Sequence, residues 1–181
     1  MRRPLDLSAF LLPAIACVSP AHAVDYLTVQ QAQTLLFPAA KTFAERPLQF
    51  SSEQRDRIKE LSGVRQRAER QEVWRAERDG QLQGWFFVDE VVGKHEFITY
   101  AVGVSPQGEV LGVEVMSYRE THGGQIRDAA WRKRFVGKTL ADPFKLDKDV
   151  PNISGATLSC RNVLDGVKRL LVQHQLFLAH G

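Results

Sequence analysis

The stretch Gln81-Leu82-Gln83-Gly84-Trp85-Phe86-Phe87-Val88-Asp89-Glu90-Val91-Val92 decides the fold class. Its centre is rich in aromatic and β-branched residues, and Asp79-Gly80 supplies a turn before it, so it reads as a β-strand. Two more strands follow at short range. Glu96 to Val104 carries Phe97, Ile98, Tyr100 and Val102; a Pro106-Gln107-Gly108 turn then leads into Val110 to Tyr118, where Val113 and Val115 alternate with Gly112 and Glu114. Connections this short join antiparallel neighbours, because a parallel pair needs a crossover of about a dozen residues or more.

Outward from this meander the periodicity becomes helical. Downstream, Ala129, Ala130, Trp131 and Phe135 mark a short helix or irregular segment ending at Gly137, and Val163, Leu164, Val167, Leu170, Leu171, Phe177 and Leu178 recur at helical spacing. Upstream, Val24 to Phe43 reads as a helix with Thr28 as its cap and Pro38 ending or bending it. Ser51 or Ser52 caps a second helix running to about Leu61, which Gly63 stops. The charged stretch Arg65 to Arg78 reads mostly as solvated surface, with Val73 and Trp74 starting a strand late in it. The expected class is α+β, a twisted antiparallel sheet flanked by helices. The expected division is a leader over 1–23, a helical N-terminal segment over 24–78 and the sheet domain over 79–181.

The chain has 181 residues, 44% hydrophobic and 25% charged, which fits one ordinary globular domain. Arg2 and Arg3 precede an apolar run from Leu7 to Val18, and Ala21-His22-Ala23 gives a small-residue exit. That order is the pattern of a cleaved secretory signal peptide, and the apolar run is shorter than the roughly 20 residues a spanning helix needs. The expectation is an exported, periplasmic protein starting near Val24. Ala14-Ile15-Ala16-Cys17 also resembles a lipoprotein box weakly, which would leave the chain anchored through Cys17. Cleavage before Val24 removes Arg2, Arg3 and Asp6, so the formal net charge falls from +3 to +2. So balanced a surface gives no electrostatic footprint for nucleic acid. Only Cys160 then remains, which leaves no intrachain disulfide. His22, His95, His122, His174 and His180 are scattered without metal-site spacing, so no metal is expected.

The last helix opens with Ser154-Gly155-Ala156-Thr157-Leu158-Ser159-Cys160, after the polar run Asp147 to Asn152. Pro151 disfavours helix at Val150. A helix N-terminus presents unpaired N–H groups and a partial positive charge, which suits a phosphate, and small residues let a ligand approach the backbone. The same residues also suit a plain cap, with Ser154 or Thr157 supplying the capping hydroxyl.

The Ser154-Gly155-Ala156-Thr157 run resembles the flavinylation motif of the FMN-binding domain family, which includes the small periplasmic flavin subunits of the Rnf and Na+-translocating NADH:quinone oxidoreductase complexes. A second stretch is similar as well: Glu120, Thr121 and Gly123 match the family's segment after the equivalent strand, with His122 in place of Pro. Trp131, Phe135, Gly137 and Lys138 match beyond it, so the likeness spans about residues 80–178. One position departs: the Asp that a flavin transferase reads three residues before the motif's Ser is Pro151 here, with Asp149 and Asn152 on either side.

The resemblance implies FMN joined through a phosphoester bond to Thr157 by a flavin transferase. It implies phosphate contacts from the turn of Gly155, Ala156, Leu158 and Ser159, with hydroxyls from Ser154 and Ser159. It also implies a second wall of Glu120, Thr121 and Gly123, and no catalytic residue. The function implied is electron transfer to or from a membrane redox partner, with the protein holding and tuning the flavin. Two other classes stay open: a flavin reductase with non-covalent FMN acting on a diffusible substrate, and a flavin-free envelope binding module in which the motif only caps a helix.

Overall fold

The computed structural model describes residues 26–179, so the leader expected over 1–23 and the anchor expected at Cys17 lie outside the described residues. The first helix, α1, covers Val29–Leu36. Thr28 and Gln31 form a reciprocal capping box at its start, each side chain bonded to the other's backbone N–H. Pro38 follows directly on its C-cap, Phe37, so this helix is shorter than the span expected over 24–43. Two short strands come next, β1 (Thr42–Glu45) and β2 (Leu48–Gln49). The second helix, α2 (Ser52–Ser62), is the one expected: Ser51 caps it with a second capping box, and Gly63 closes it in the left-handed conformation.

The rest of the sheet is a meander. β3 (Arg70–Arg78) starts earlier than Val73 and Trp74 suggested, while β4 (Gln81–Val92) and β6 (Val110–Tyr118) have the expected limits. β5 covers Phe97–Val104. The architecture is α+β, with six antiparallel strands in the order β1-β3-β4-β5-β6 and β2 also paired with β3. A one-turn helix, α3 (Ala129–Arg132), sits between two short 3-10 turns, and a long helix, α4 (Thr157–Phe177), ends the fold.

Trp85, Phe86 and Phe87 show how the sheet is used. Successive residues of a strand face opposite sides. Trp85 and Phe87 join the larger core with Val163, Leu164, Val167 and Leu170 of α4, whereas Phe86 joins Ala32 and Phe37 on the α1 side. All three aromatic residues are buried, so the sheet has a covered face on each side. Fully burying side chains of this size contributes about 1.5–3 kcal/mol each.

Gly166 lets α4 lie close to that sheet. A Cβ at this position would stand 2.0 Å from the Tyr100 hydroxyl. One turn on, Arg169 donates to Asp89 Oδ2 at 2.6 Å, and the Tyr100 hydroxyl donates to the same oxygen. The Arg169 and Asp89 side chains are each 10% exposed, so this is a buried pair that locks the helix register against β4. Burial, followed by the neighbouring Asp89 charge, pushes the Tyr100 phenol well above its ordinary value. Among the described residues, no helix is long and apolar enough to cross a membrane.

Candidate functional site

The strand end of β6 and the start of α4 meet. Tyr118 closes β6, and its phenol donates to the His122 carbonyl, which turns the chain back on itself. Burial pushes that phenol above its ordinary value, against a hydrogen bond with Ser159 that works to lower it. Gly123 then comes against the opening of α4. Its φ is +87°, and a Cβ there would sit 2.1 Å from the Ala156 Cβ and 2.7 Å from the Tyr118 hydroxyl. Only glycine fits both the backbone conformation and the gap. Gly155, at φ +80°, passes 3.8 Å from the His122 Cβ by the same measure. The fold therefore brings together two motifs that lie about thirty residues apart in sequence.

The approach to α4 is braced from below. Trp131 is buried, and its indole N–H donates to the Pro151 carbonyl at 2.9 Å. Asp149 accepts from Lys138 Nζ at 3.0 Å and from the Lys145 N–H at 2.8 Å. Burial works to raise the Asp149 carboxyl, but the Lys145 N–H and then Lys138 outweigh it and hold it below the usual carboxylate range. Asp147 accepts from the Asn152 N–H at 2.9 Å. The run ahead of the motif is thus held by side chains together with a backbone turn, in which the Asp147 N–H donates to the Val150 carbonyl at 2.8 Å.

The helix begins without a side-chain cap. Ala156 occupies the N-cap position, and Thr157 is the first helical residue. The capping role open to Ser154 and Thr157 in the sequence is not used. The first amide with a helical acceptor is that of Cys160, bonded to the Ala156 carbonyl at 2.9 Å, which leaves those of Thr157, Leu158 and Ser159 without one. Thr157 is half-buried and its hydroxyl has no hydrogen-bond partner among the described residues, while Ser154 and Gly155 are exposed. Leu158 is 45% exposed. Three free amides and an unengaged hydroxyl on one turn are a donor set that fits a phosphate ester.

The remaining expected residues fall in different places. Ala156 and Ser159 are buried, Ala156 under Gly123 and Ser159 beside the Tyr118 phenol. Thr121 and His122 are exposed in the turn. Glu120 Oε1 accepts from the His95 and Glu96 N–H groups at 2.6 and 3.0 Å, so it ties down the loop between β4 and β5. Burial works to raise this carboxyl, but the N–H groups of His95, Glu96 and Lys94 hold it low. Cys160 is fully buried, and burial pushes its thiol up, away from reactivity. Tyr118 was not singled out by the sequence; a tyrosine ending an apolar strand just before a glycine turn was the available signal. No cluster of metal-ligating side chains occurs among the described residues.

Comparison with known proteins places this arrangement. Residues 93–172 match the FMN-binding domain family, and this span includes both the Gly123 turn and the start of α4. The chain carries an FMN-binding domain. It is homologous to the G subunit of the ion-translocating oxidoreductase complex of Stutzerimonas stutzeri, with 33% identity over 55% of this chain and 49% of that protein. The corresponding G subunit of Shewanella oneidensis is 35% identical, over 43% of each chain. The chain thus spans about half the length of the curated relatives it matches. The fold is shared with NqrC of Shewanella oneidensis at a TM-score of 0.54, with 19% identity over 75% of this chain and 80% of that one. It is also shared with the C subunit of the Na(+)-translocating NADH-quinone reductase of Parabacteroides distasonis, at a TM-score of 0.54 with 16% identity over 84% of both chains.

Proposed function

We propose that this protein is an exported electron carrier whose FMN is joined through its phosphate to Thr157 by a flavin transferase. In this reading it passes electrons to or from a membrane-bound redox complex of the ion-translocating oxidoreductase kind. The observation that carries the proposal is the start of α4. An uncapped helix leaves three amides and the Thr157 hydroxyl available on one turn, and Gly123 brings the second motif against it. A bound flavin supplies one- or two-electron chemistry. The protein's own share is to hold the phosphate at the helix N-terminus and to fix the turn that lies beside it. The Arg2-Arg3 start, the apolar run and the Ala21-His22-Ala23 exit support export.

A covalent bond suits a carrier outside the cytoplasm, where lost FMN cannot be replaced from a free pool. Two features of this chain bear on how the bond is installed. Pro151 stands where a transferase target usually has Asp, and the nearby Asp149 is engaged by Lys138 and Lys145. The proposal therefore requires recognition without a free Asp ahead of the motif.

The direct test is to produce the protein with a flavin transferase and denature it in a gel. The expected result is flavin fluorescence that stays with the chain and disappears in Thr157→Ala while the folded circular dichroism signal is kept. Fluorescence retained in the variant would overturn attachment at Thr157.

A further inference from the structure

The sheet comes apart between β3 and β4. The two strands are paired from Arg78 with Gln81 to Glu72 with Val88, and β4 then runs on to Val92 with only β5 beside it. On its other edge β3 keeps its partners, with Gln71 opposite Leu48 and Arg70 opposite Gln49 in the register of β1. The next pairs in register, Gln71 with Asp89 and Arg70 with Glu90, are missing from the ladder.

Hydrogen bonding alternates along an antiparallel strand. The Gly93 N–H donates to the Glu96 carbonyl, so the odd-numbered residues of β4 bond β5. Val88, Glu90 and Val92 turn their peptide groups to the β3 side, where Val88 still pairs with Glu72 but Glu90 and Val92 have no strand beside them. Side chains serve two of them: Gln71 Nε2 donates to the Val88 carbonyl and Asn162 Nδ2 to the Val92 carbonyl, each at 2.6 Å. The peptide group of Glu90 has no ladder partner there.

A cleft of about 730 Å³ lies along this bare edge. The 64–72 segment forms one wall, the end of β4 the other, and Asn162, Asp165 and Arg169 of α4 the floor. Val92 and Phe97 stand at its mouth, 45% and 57% exposed. The charges are sorted. Arg70 is paired with Glu72 and Arg169 with Asp89, both at 2.6 Å. Arg65 and Arg67 are exposed on the loop wall with no ion-pair partner among the described residues.

We propose that this cleft is a docking groove for an extended, acidic, proline-free segment of a partner polypeptide, which adds to β4 as a short strand at Glu90 while its carboxylates meet Arg65 and Arg67. A bare strand edge is recognised by backbone, which only another extended chain supplies. The unpaired guanidinium groups on one wall select acidic side chains. Glu90 and Asp165 on the other sides repel them, so the segment's orientation across the groove is fixed. This proposal does not depend on the flavin reading.

The test is selection of displayed random heptapeptides on the full chain, with the Arg65→Glu/Arg67→Glu double variant as counter-target. Both arginines are exposed, and an unchanged melting temperature of the variant checks its fold. The expected result is enrichment of acidic sequences lacking proline, with affinity for the variant lower by about tenfold or more. Selected peptides are then N-methylated on alternate residues: methylation in one frame abolishes binding and in the other leaves it intact. Failure to enrich over the double variant overturns the proposal. So does equal binding in both methylated frames, or full displacement by inorganic phosphate, which would mark a small-anion site.

Discussion

The first turn of α4 and its middle, three turns later, are built on opposite principles. The first turn leaves things undone: three amides without helical acceptors, no side-chain cap, and the Thr157 hydroxyl without a partner. The middle is pinned instead, with Gly166 under the Tyr100 hydroxyl and Arg169 paired with Asp89. One helix thus serves two ends. Its middle fixes where the helix lies on the sheet, and that position delivers an open N-terminus to the Gly123 turn. The lesson is that damage to the middle should cost stability, while damage to the start should cost flavin at little cost in stability.

The largest expected effect comes from breaking the middle. Arg169→Met leaves Asp89 buried without its counter-charge and should lower unfolding free energy by about 3–5 kcal/mol in urea titrations. A second change, Asp89→Leu, should restore much of the loss, because the cost lies in an uncompensated charge rather than in the absence of the pair.

Two glycines sharpen the contrast. Gly166→Ala and Gly123→Ala both force a Cβ into occupied space, 2.0 Å from Tyr100 and 2.1 Å from Ala156 respectively. Each should cost about 1–3 kcal/mol from overpacking, read by thermal or urea unfolding. Gly123→Ala should in addition reduce flavin incorporation, which Gly166→Ala, once folded, should leave in place.

A pH profile probes the helix from its far end. His174 is buried, its Nε2 lacks a hydrogen-bond partner, and burial lowers its pKa below the ordinary value of 6.5. The folded state therefore binds its proton less readily than the unfolded chain does. The neutral ring's contribution is fully present above about pH 6.5 and is lost as pH falls towards the depressed folded value. Stability measured against pH should decline across that window, and His174→Phe should flatten the decline there. The carboxylates Glu120 and Asp149, also held low, act in a more acidic window.

The smallest effect on stability should come from Thr157→Ala. No hydrogen bond of the Thr157 side chain is lost, so the change should stay within about 0.5 kcal/mol by urea unfolding. If it proves much larger, the hydroxyl has a structural role that the open first turn denies.

The sequence disclosed this contrast unevenly. Strands β4 and β6 and helix α2 were legible to their ends because their limits coincide with turn glycines, a proline turn and a serine cap. The N-terminal strands were not. β1 is four residues with one half-buried side chain, and β2 is two residues, too short for any alternation to show. β3 hid behind its charges: its Arg and Glu side chains point to solvent or to each other while Gln71, Val73 and Ala76 go inward. At the site, both motifs were readable, and so was the polar loop ahead of α4. What could not be read was the use of Ala156 as an uncapped helix start and the tyrosine clamp beneath it. Both depend on how closely two distant loops approach, a property of the folded chain. The buried lock went unread too, although Asp89, an acid in an apolar strand, and Gly166, a glycine inside a helix, were local irregularities available to signal it.

The central claim is that the open first turn exists to carry flavin on Thr157. Its most direct test is the intact mass of the protein made with an active flavin transferase, followed by peptide mapping. The account predicts an added mass equal to that of FMN in phosphoester linkage, located on the peptide containing Thr157 and missing from Thr157→Ala. An unmodified mass, with the transferase shown to be active on a control substrate, would contradict it.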